Sequence, residues 1–285
     1  MKKIGFKPTD RIKLIRWLTR LIIKMLRLDG VNMFSNELIQ SLDPKNSFQF
    51  REEKFYFRTG HGRLNWRVNS FFSEEPLIVE WLEEMKENDI FLDIGANVGT
   101  YTIPTCAFVK KCYAVELDFN NIQLLFDNLH MNKLSDKCLI LPFPLHKDTS
   151  VQDIYYRDFS KGDALQSVSR PSPYSSKSEI NSKLGFTINQ LCFSLDDIFD
   201  IFDLDLPNKI KIDVDGNEEF VINGGRKIIM QAQEVYFESN GLDDQSDNNI
   251  INEFKNNGFK IIKQMKSVNV AFENTKNILF KKIKN

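Results

Sequence analysis

The 285-residue sequence predicts a doubly wound α/β fold, a mostly parallel sheet with an antiparallel edge. Three observations carry this expectation. Short continuous apolar runs alternate with longer stretches of helical period, the first such run closes on an acid and a glycine turn, and the carboxyl-terminal region reads as two adjoining strands at 259–265 and 277–281.

The first run contains Ile90, Phe91, Leu92 and Ile94, which suits a strand buried on both faces, with Asp93 as its one exception. Gly95 and Gly99 then permit a tight turn and close backbone approach before a helical pattern resumes at 100–109. Strand, glycine loop and helix place this turn at the mouth of a site, because open α/β sheets bind ligands at the carboxyl ends of their strands. A pyrophosphate-binding loop needs G-x-G-x-x-G, but Asn97 and Thr100 stand in its second and third glycine slots. The spacing of Asp93, Gly95, Ala96, Asn97, Gly99 and Thr100 fits better a ligand with an amino-acid centre, of which S-adenosylmethionine is the common case. Asp93 would face the methionine amine, directly or through water.

The next strand, 111–115, ends at Glu116, about 20 residues beyond the glycine turn, where such folds place the carboxylate that accepts both ribose hydroxyls. Asp118 is read as the N-cap of a helix over 119–131. Residues 138–143 give a third strand, and 195–201 a short helix leading into a fourth strand at 209–214. That strand ends in Asp213, Val214, Asp215 and Gly216, followed by Glu218. A carboxylate at this end can take a proton from an acceptor hydroxyl, so Asp213 is the first candidate base and Asp215 the second. The acids at 215, 218 and 219 equally suit the start of the following helix, and no metal is assigned. A fifth strand at 234–237 ends at Glu238.

Residues 149–189 are rich in Ser, Gly, Pro and charge without a steady period, and read as an acceptor loop near the site mouth. Asp163 and Ser167 in this loop, Glu218, Glu238, and His61 between two glycines are the candidate substrate contacts. Phe48 to Arg58 alternates as one strand of a small cap, and Ser73, Glu74, Glu75 and Pro76 read as the opening of a helix that runs to about residue 86. The expected division is 1–72 as amphipathic helix and cap, and 73–285 as the catalytic domain.

A formal net charge of -1 with 42% hydrophobic and 27% charged residues describes a globular protein with no general pull toward nucleic acid. The four cysteines have no C-x-x-C spacing, which argues against zinc and disulfide frameworks and fits a reducing cytoplasm. No apolar run reaches the roughly 18 residues of a membrane span.

With both acidic centres placed, the chain resembles the FkbM family of S-adenosylmethionine-dependent O-methyltransferases. The matching pieces are Phe72-Ser-Glu-Glu-Pro76, Leu92-Asp-Ile-Gly-Ala-Asn-Val-Gly99, Ala114-Val-Glu116, Ser194-Leu-Asp-Asp197 and Ile210-Lys-Ile-Asp-Val-Asp-Gly216 with Glu218 and Gly224 beyond, across about 150 residues in the family's order. The resemblance implies a seven-stranded methyltransferase sheet, S-adenosylmethionine as donor, and hydroxyl acceptors on polyketides or on sugars of surface polysaccharides. It departs from the family at Leu117, where a proline is usual, and at Pro142-Phe-Pro-Leu-His146. A non-sugar alcohol, or a cofactor-binding scaffold without catalysis, are the alternatives to a sugar methyltransferase, and homo-oligomerisation is compatible with either.

Between residues 11 and 28, Lys13, Arg16, Arg20, Lys24 and Arg27 recur at helical spacing opposite Leu14, Leu18, Leu21, Ile22, Met25 and Leu28. Such a helix lies at the inner membrane interface with Trp17 at the headgroups, or packs on the domain with a solvated basic face. Flotation with anionic liposomes separates the two: an interfacial helix carries the full chain up the gradient and leaves a chain starting near Gly30 behind, whereas a packed helix leaves the two indistinguishable.

Overall fold

The computed structural model describes residues 44–60, 62–156, 167–168, 186–239, 244–266 and 275–283, together with the helical positions 13, 17, 18 and 20–22. It forms two compact units, Met1–Pro44 and Lys45–Asn285. In the first, Trp17, Leu18 and Ile22 are exposed on their helix, and the other positions of the basic segment lie outside the described residues. Among the described residues no helix is long and apolar enough to cross a membrane.

The second unit is organised by the expected sheet. Strands β3 (Ile90–Ile94), β4 (Lys111–Val115), β5 (Cys138–Leu141), β9 (Lys209–Ile212), β10 (Glu234–Ser239), β11 (Phe259–Lys266) and β12 (Lys276–Lys282) are ordered β11-β12-β10-β9-β3-β4-β5. The four inner pairings from β10 to β5 are parallel, and β12 runs antiparallel to both β10 and β11. Strand order reverses between β3 and β9. An open sheet presents its ligand crevice at that point.

The sheet's two faces are chemically unlike. One carries Leu92, Ile94, Ile210, Ile212, Val235 and Phe237, packed with α5 (Leu195–Phe202), α6 (Glu218–Gly224), α7 (Arg226–Ile229) and α8 (Asp244–Asn256). The other has Phe91, Cys112 and Ala114 but also three buried polar ranks across its middle. Register places Lys209 beside Glu234, Asp93 and Tyr236 on either side of Lys211, and Glu238 opposite Asn277. This face is covered by α2 (Pro76–Glu83), α3 (Thr102–Phe108) and α4 (Phe119–Met131). Asp118 caps α4 as expected, its Oδ1 accepting from the amides of Asn120 at 2.8 Å and Asn121 at 3.2 Å.

Three local readings are corrected. The stretch around 48–58 is a hairpin, β1 (Lys45–Phe50) and β2 (Glu53–Arg58), turned through Arg51 at φ +52°. The Arg51 guanidinium donates to the carbonyls of Leu82 and Met85, each at 2.9 Å, and so closes the end of α2. A helix unforeseen in the sequence, α1 (Gly62–Asn69), follows the hairpin. α2 itself begins at Pro76, not Ser73, because the residue before a proline is driven out of helical conformation: Glu75 has φ −132° and ψ 75°. Finally, the supposed loop contains β6 (Ser150–Tyr156), β7 (Ser167–Val168) and β8 (Phe186–Cys192) in a small antiparallel sheet. Its alternation was hidden because Val151 and Leu191 stand exposed on the outward face while Gln152 and Gln190 are half-buried on the inward one.

At the sheet end remote from the site, Glu234 accepts from Trp81 Nε1 at 2.9 Å, Lys209 Nζ at 2.5 Å and Lys281 Nζ at 2.8 Å. Burial pushes its carboxyl up, but hydrogen bonds from the two lysines and the indole more than offset this and hold it down at about 2. Such a depressed carboxylate contributes stability that is complete above its unfolded value near 4.5 and lost as pH falls toward 2. Glu234→Gln leaves two lysines without their anion and is expected to cost about 3–5 kcal/mol at pH 7. Chemical denaturation of both proteins will show this gap narrowing below pH 4.5.

Candidate active site

The turn after β3 is fixed by backbone geometry. Gly95 and Ala96 both donate to the Val115 carbonyl, at 3.0 and 2.9 Å. Gly95 has φ +87°, and a Cβ there would lie 1.8 Å from the Asp213 carbonyl oxygen. No larger residue fits between β3 and β9 at this point. Asn97 follows at φ +50° and donates its amide to Glu116 Oε2 at 2.7 Å, while Glu116 Oε1 accepts from the amides of Leu117 and Asp118 at 3.0 and 2.8 Å. Burial pushes the Glu116 carboxyl up to about 7 against these three donors.

A cavity of about 450 Å³ opens over this turn at the β3/β9 reversal. Of the residues expected to bind the donor, Gly95, Asn97, Thr100 and Glu116 line it. Ala96 and Gly99 are buried in the turn, where they shape the backbone. Asp93 lies deeper, fully buried, and the cation it faces is part of the chain: Lys211 Nζ is 3.3 Å from its Oδ1, and Thr102 Oγ1 donates to its Oδ2 at 2.6 Å. Thr100 lines the cavity, and its Oγ1 is buried without a hydrogen-bond partner.

The opposite wall gathers the acids. Asp213, Asp215 and Glu238 line the cavity, as expected from the ends of β9 and β10. Lys211 Nζ is 2.9 Å from Asp213 Oδ2, and Glu238 is hydrogen-bonded to Asp213. Burial pushes Asp213 up, but Lys211 and the Glu238 proton hold it below the usual carboxylate range. Glu238 is driven well above that range by burial and then by Asp213 and Glu75. Burial would lower the Lys211 ammonium, yet Asp213 and Asp93 raise it.

Two expected contacts stand elsewhere. Glu218 is buried outside the cavity lining; its Oε1 accepts from the Gly216 amide at 2.9 Å, bracing the turn after β9, and burial pushes it up to about 7. Ser167 is fully buried, and its hydroxyl donates to Asn217 Oδ1 at 3.2 Å, which ties the small sheet to the same turn and leaves Val168 to line the cavity. His61 and Asp163 lie outside the described residues.

The structure adds residues that the sequence reading passed over. Glu75 lines the cavity with one carboxylate oxygen buried and without a partner, and it accepts from the Tyr101 phenol. Burial, then Asp213, push it up to about 7. Its signal was the following proline, which excludes it from the helix. Lys211 was marked by being a lysine in a strand buried on both faces, a position tolerated only when paired. On α1, Arg63, Trp66 and Arg67 share one face and line the cavity, with the Trp66 ring 45% exposed.

Comparison with known proteins follows this geometry. A hexuronic acid methyltransferase, AglP, from Haloferax volcanii is 24% identical over 193 residues, covering 67% of this chain and 72% of its own. A tRNA (guanine(37)-N(1))-methyltransferase, Trm5b, from Methanocaldococcus jannaschii is 32% identical over 73 residues, which are 26% of this chain and 20% of that one. Among solved structures, a methyltransferase FkbM from Methylobacillus flagellatus aligns over 75% of this chain and 55% of its own, with 13% identity and a TM-score of 0.46. The profile of the methyltransferase FkbM domain matches residues 93–261, from the acid that opens the glycine turn to the first strand of the closing pair, and on that match over more than half its length the chain belongs to the FkbM methyltransferase family.

Proposed function

We propose that this methyltransferase uses S-adenosylmethionine and methylates a hydroxyl of a sugar, with an acidic sugar of a surface polysaccharide as the best fit. The observation that carries the reading is the single cavity in which the Gly95–Thr100 turn and Glu116 face an acid wall and a tryptophan flanked by two arginines. The donor loop offers the orphaned Thr100 hydroxyl, and Glu116 retains lone-pair capacity for ribose hydroxyls beyond its three backbone donors. The donor, when bound, supplies an electrophilic methyl group and leaves as a neutral thioether.

The chain's own contribution is position, dryness and a proton acceptor. Asp213, at the strand end across the cavity from Glu116, holds the acceptor hydroxyl and accepts its proton, a role typically worth about 10² to 10⁴ in rate. Its low basicity at rest places much of the acceleration in alignment within a closed site. Trp66 offers an aromatic face for a pyranose ring, and Arg63 and Arg67 supply planar donors of the kind that match a carboxylate. This pairing accords with the Haloferax relative being a hexuronic acid methyltransferase. The shorter likeness to a tRNA enzyme covers 26% of the chain, and the net charge of -1 offers no excess for a phosphate backbone.

Calorimetric titration with S-adenosylmethionine tests the donor. Glu116→Ala should weaken binding by about tenfold or more, the range for a hydrogen bond to a charged group. Because Glu116 sits at about 7 and the ribose hydroxyls need its ionised form, wild-type affinity should fall by about tenfold per pH unit below that value, and Glu116→Gln should flatten the profile. Asp213→Asn should keep donor affinity within about twofold while turnover on hexuronic-acid glycosides drops by about 10² or more; unchanged turnover removes Asp213 from the role.

A further inference from the structure

Glu75, Asp213 and Glu238 come from the turn before α2 and from the ends of β9 and β10, yet one carboxylate oxygen of each lies within 4.8 Å of the other two. Oxygens held about 2.1 Å from a six-coordinate ion lie about 3 Å apart when adjacent and about 4.2 Å apart when opposite. The trio lies within the reach that such a set requires. Lys211 Nζ is engaged with Asp93 Oδ1 and with Asp213 Oδ2, and Arg67 acts on Asp213 from the cavity wall. Glu75 and Glu238 line the cavity as well, and both rest toward their neutral acids, so a cation entering here displaces their protons.

A second observation is independent of the acids. Tyr236 is fully buried and its hydroxyl has no hydrogen-bond partner. It stands beside Lys211 in register and one pleat below Glu238 on the same face, with Glu75, Glu238 and Asp213 around its phenol. Asn277, opposite Glu238, is buried with its Oδ1 equally unpartnered, and so is Glu75 Oε2. An orphaned buried polar atom costs about 1–3 kcal/mol, and three around one acid cluster mark a place where a hydrated ion completes the hydrogen bonding. We propose that Glu75, Asp213 and Glu238 form a divalent-cation site at the acceptor end of the cavity. All-oxygen donors select a hard ion of the Mg²⁺ or Mn²⁺ class over zinc. The role of that ion rests on the methyl-transfer reading: bound to the acceptor's oxygen, it lowers the hydroxyl's pKa and fixes the oxygen for attack. Its binding does not rest on that reading.

The test is titration of the EDTA-stripped full-length protein with MnCl₂, following free Mn²⁺ by electron paramagnetic resonance, with MgCl₂ as competitor. One saturable site per chain is expected, weakened at least tenfold in Glu75→Gln and in Glu238→Gln and unchanged in Glu219→Gln, whose carboxylate is exposed on α6. Tb³⁺ emission excited through the tyrosines locates the ion without mutation, and should appear on binding and vanish as Mg²⁺ displaces it. Absence of a saturable site, a site indifferent to both substitutions, or a Tb³⁺ site without tyrosine-sensitised emission overturns the proposal. S-adenosylmethionine titrated into the same samples keeps the readings apart: donor binding without Mn²⁺ binding removes the ion alone, and Mn²⁺ binding without donor binding removes the donor reading alone.

Discussion

The buried ammonium of Lys211 is the constraint around which the catalytic unit is built. It is 1% exposed, lies on the strand next to the order reversal, and joins Asp93 of β3 to Asp213 of its own strand. Removing two carboxylates and an amine from water is costly unless each finds a partner at close range. Here the register of β3, β9 and β10 supplies them, with Asp93, Lys211 and Tyr236 in one lateral rank and Asp213 and Glu238 in the next. A slip of one residue in β9 would turn Lys211 into the apolar layer of Ile210 and Ile212. The ion pair therefore fixes the alignment of the donor strand against the acceptor strands.

That division of labour explains the unlike faces of the sheet. The face packed by α5 to α8 is mainly apolar and is held largely by burial, at about 25 cal/mol for each Å² removed from water. The face packed by α2, α3 and α4 combines an aromatic core, including Phe48, Phe57, Phe71 and Trp81, with a polar stripe that runs from Lys209 and Glu234 at one end to Asp213 and Glu238 at the other. Trp81 shows how the two coexist: its ring stacks on Tyr236 at 5.8 Å while its Nε1 donates to Glu234. One line of polar groups crosses the strands of this face, and the line ends in the cavity.

What could be read from the sequence follows from range. The glycine turn, Glu116 at the end of β4 and the Asp118 cap are local, because each role is set by residues within a few positions, and all three lie where expected. The closing antiparallel pair was legible for the same reason. The contacts that decide the acid wall are not local. Glu75 and Asp213 are far apart in sequence, and nothing near Glu75 says that its carboxylate meets the ends of β9 and β10. Asp93 was assigned a ligand's amine because its true cation, Lys211, is more than a hundred positions away. The small sheet of β6, β7 and β8 was missed for a different reason: Gln152 and Gln190 interrupt its inward face while Val151 and Leu191 stand on its outward one, so period-2 patterning was blurred.

The same reasoning shifts where basicity resides. From sequence, Asp213 was the candidate base by position alone, yet in the folded chain Lys211 and Glu238 already occupy it. A carboxylate so engaged is a good fixed anion and a weak base. In the proposed transfer to a hydroxyl, the proton passing to Asp213 must therefore be made more acidic by its surroundings, or be passed on within the cluster. The neighbouring carboxyls hold their protons more tightly, Glu238 most of all, so any positive charge that enters the cluster is met by groups able to release them. Alignment by the strands fixes where these carboxyls stand, and the protons they share set the charge of the acid wall.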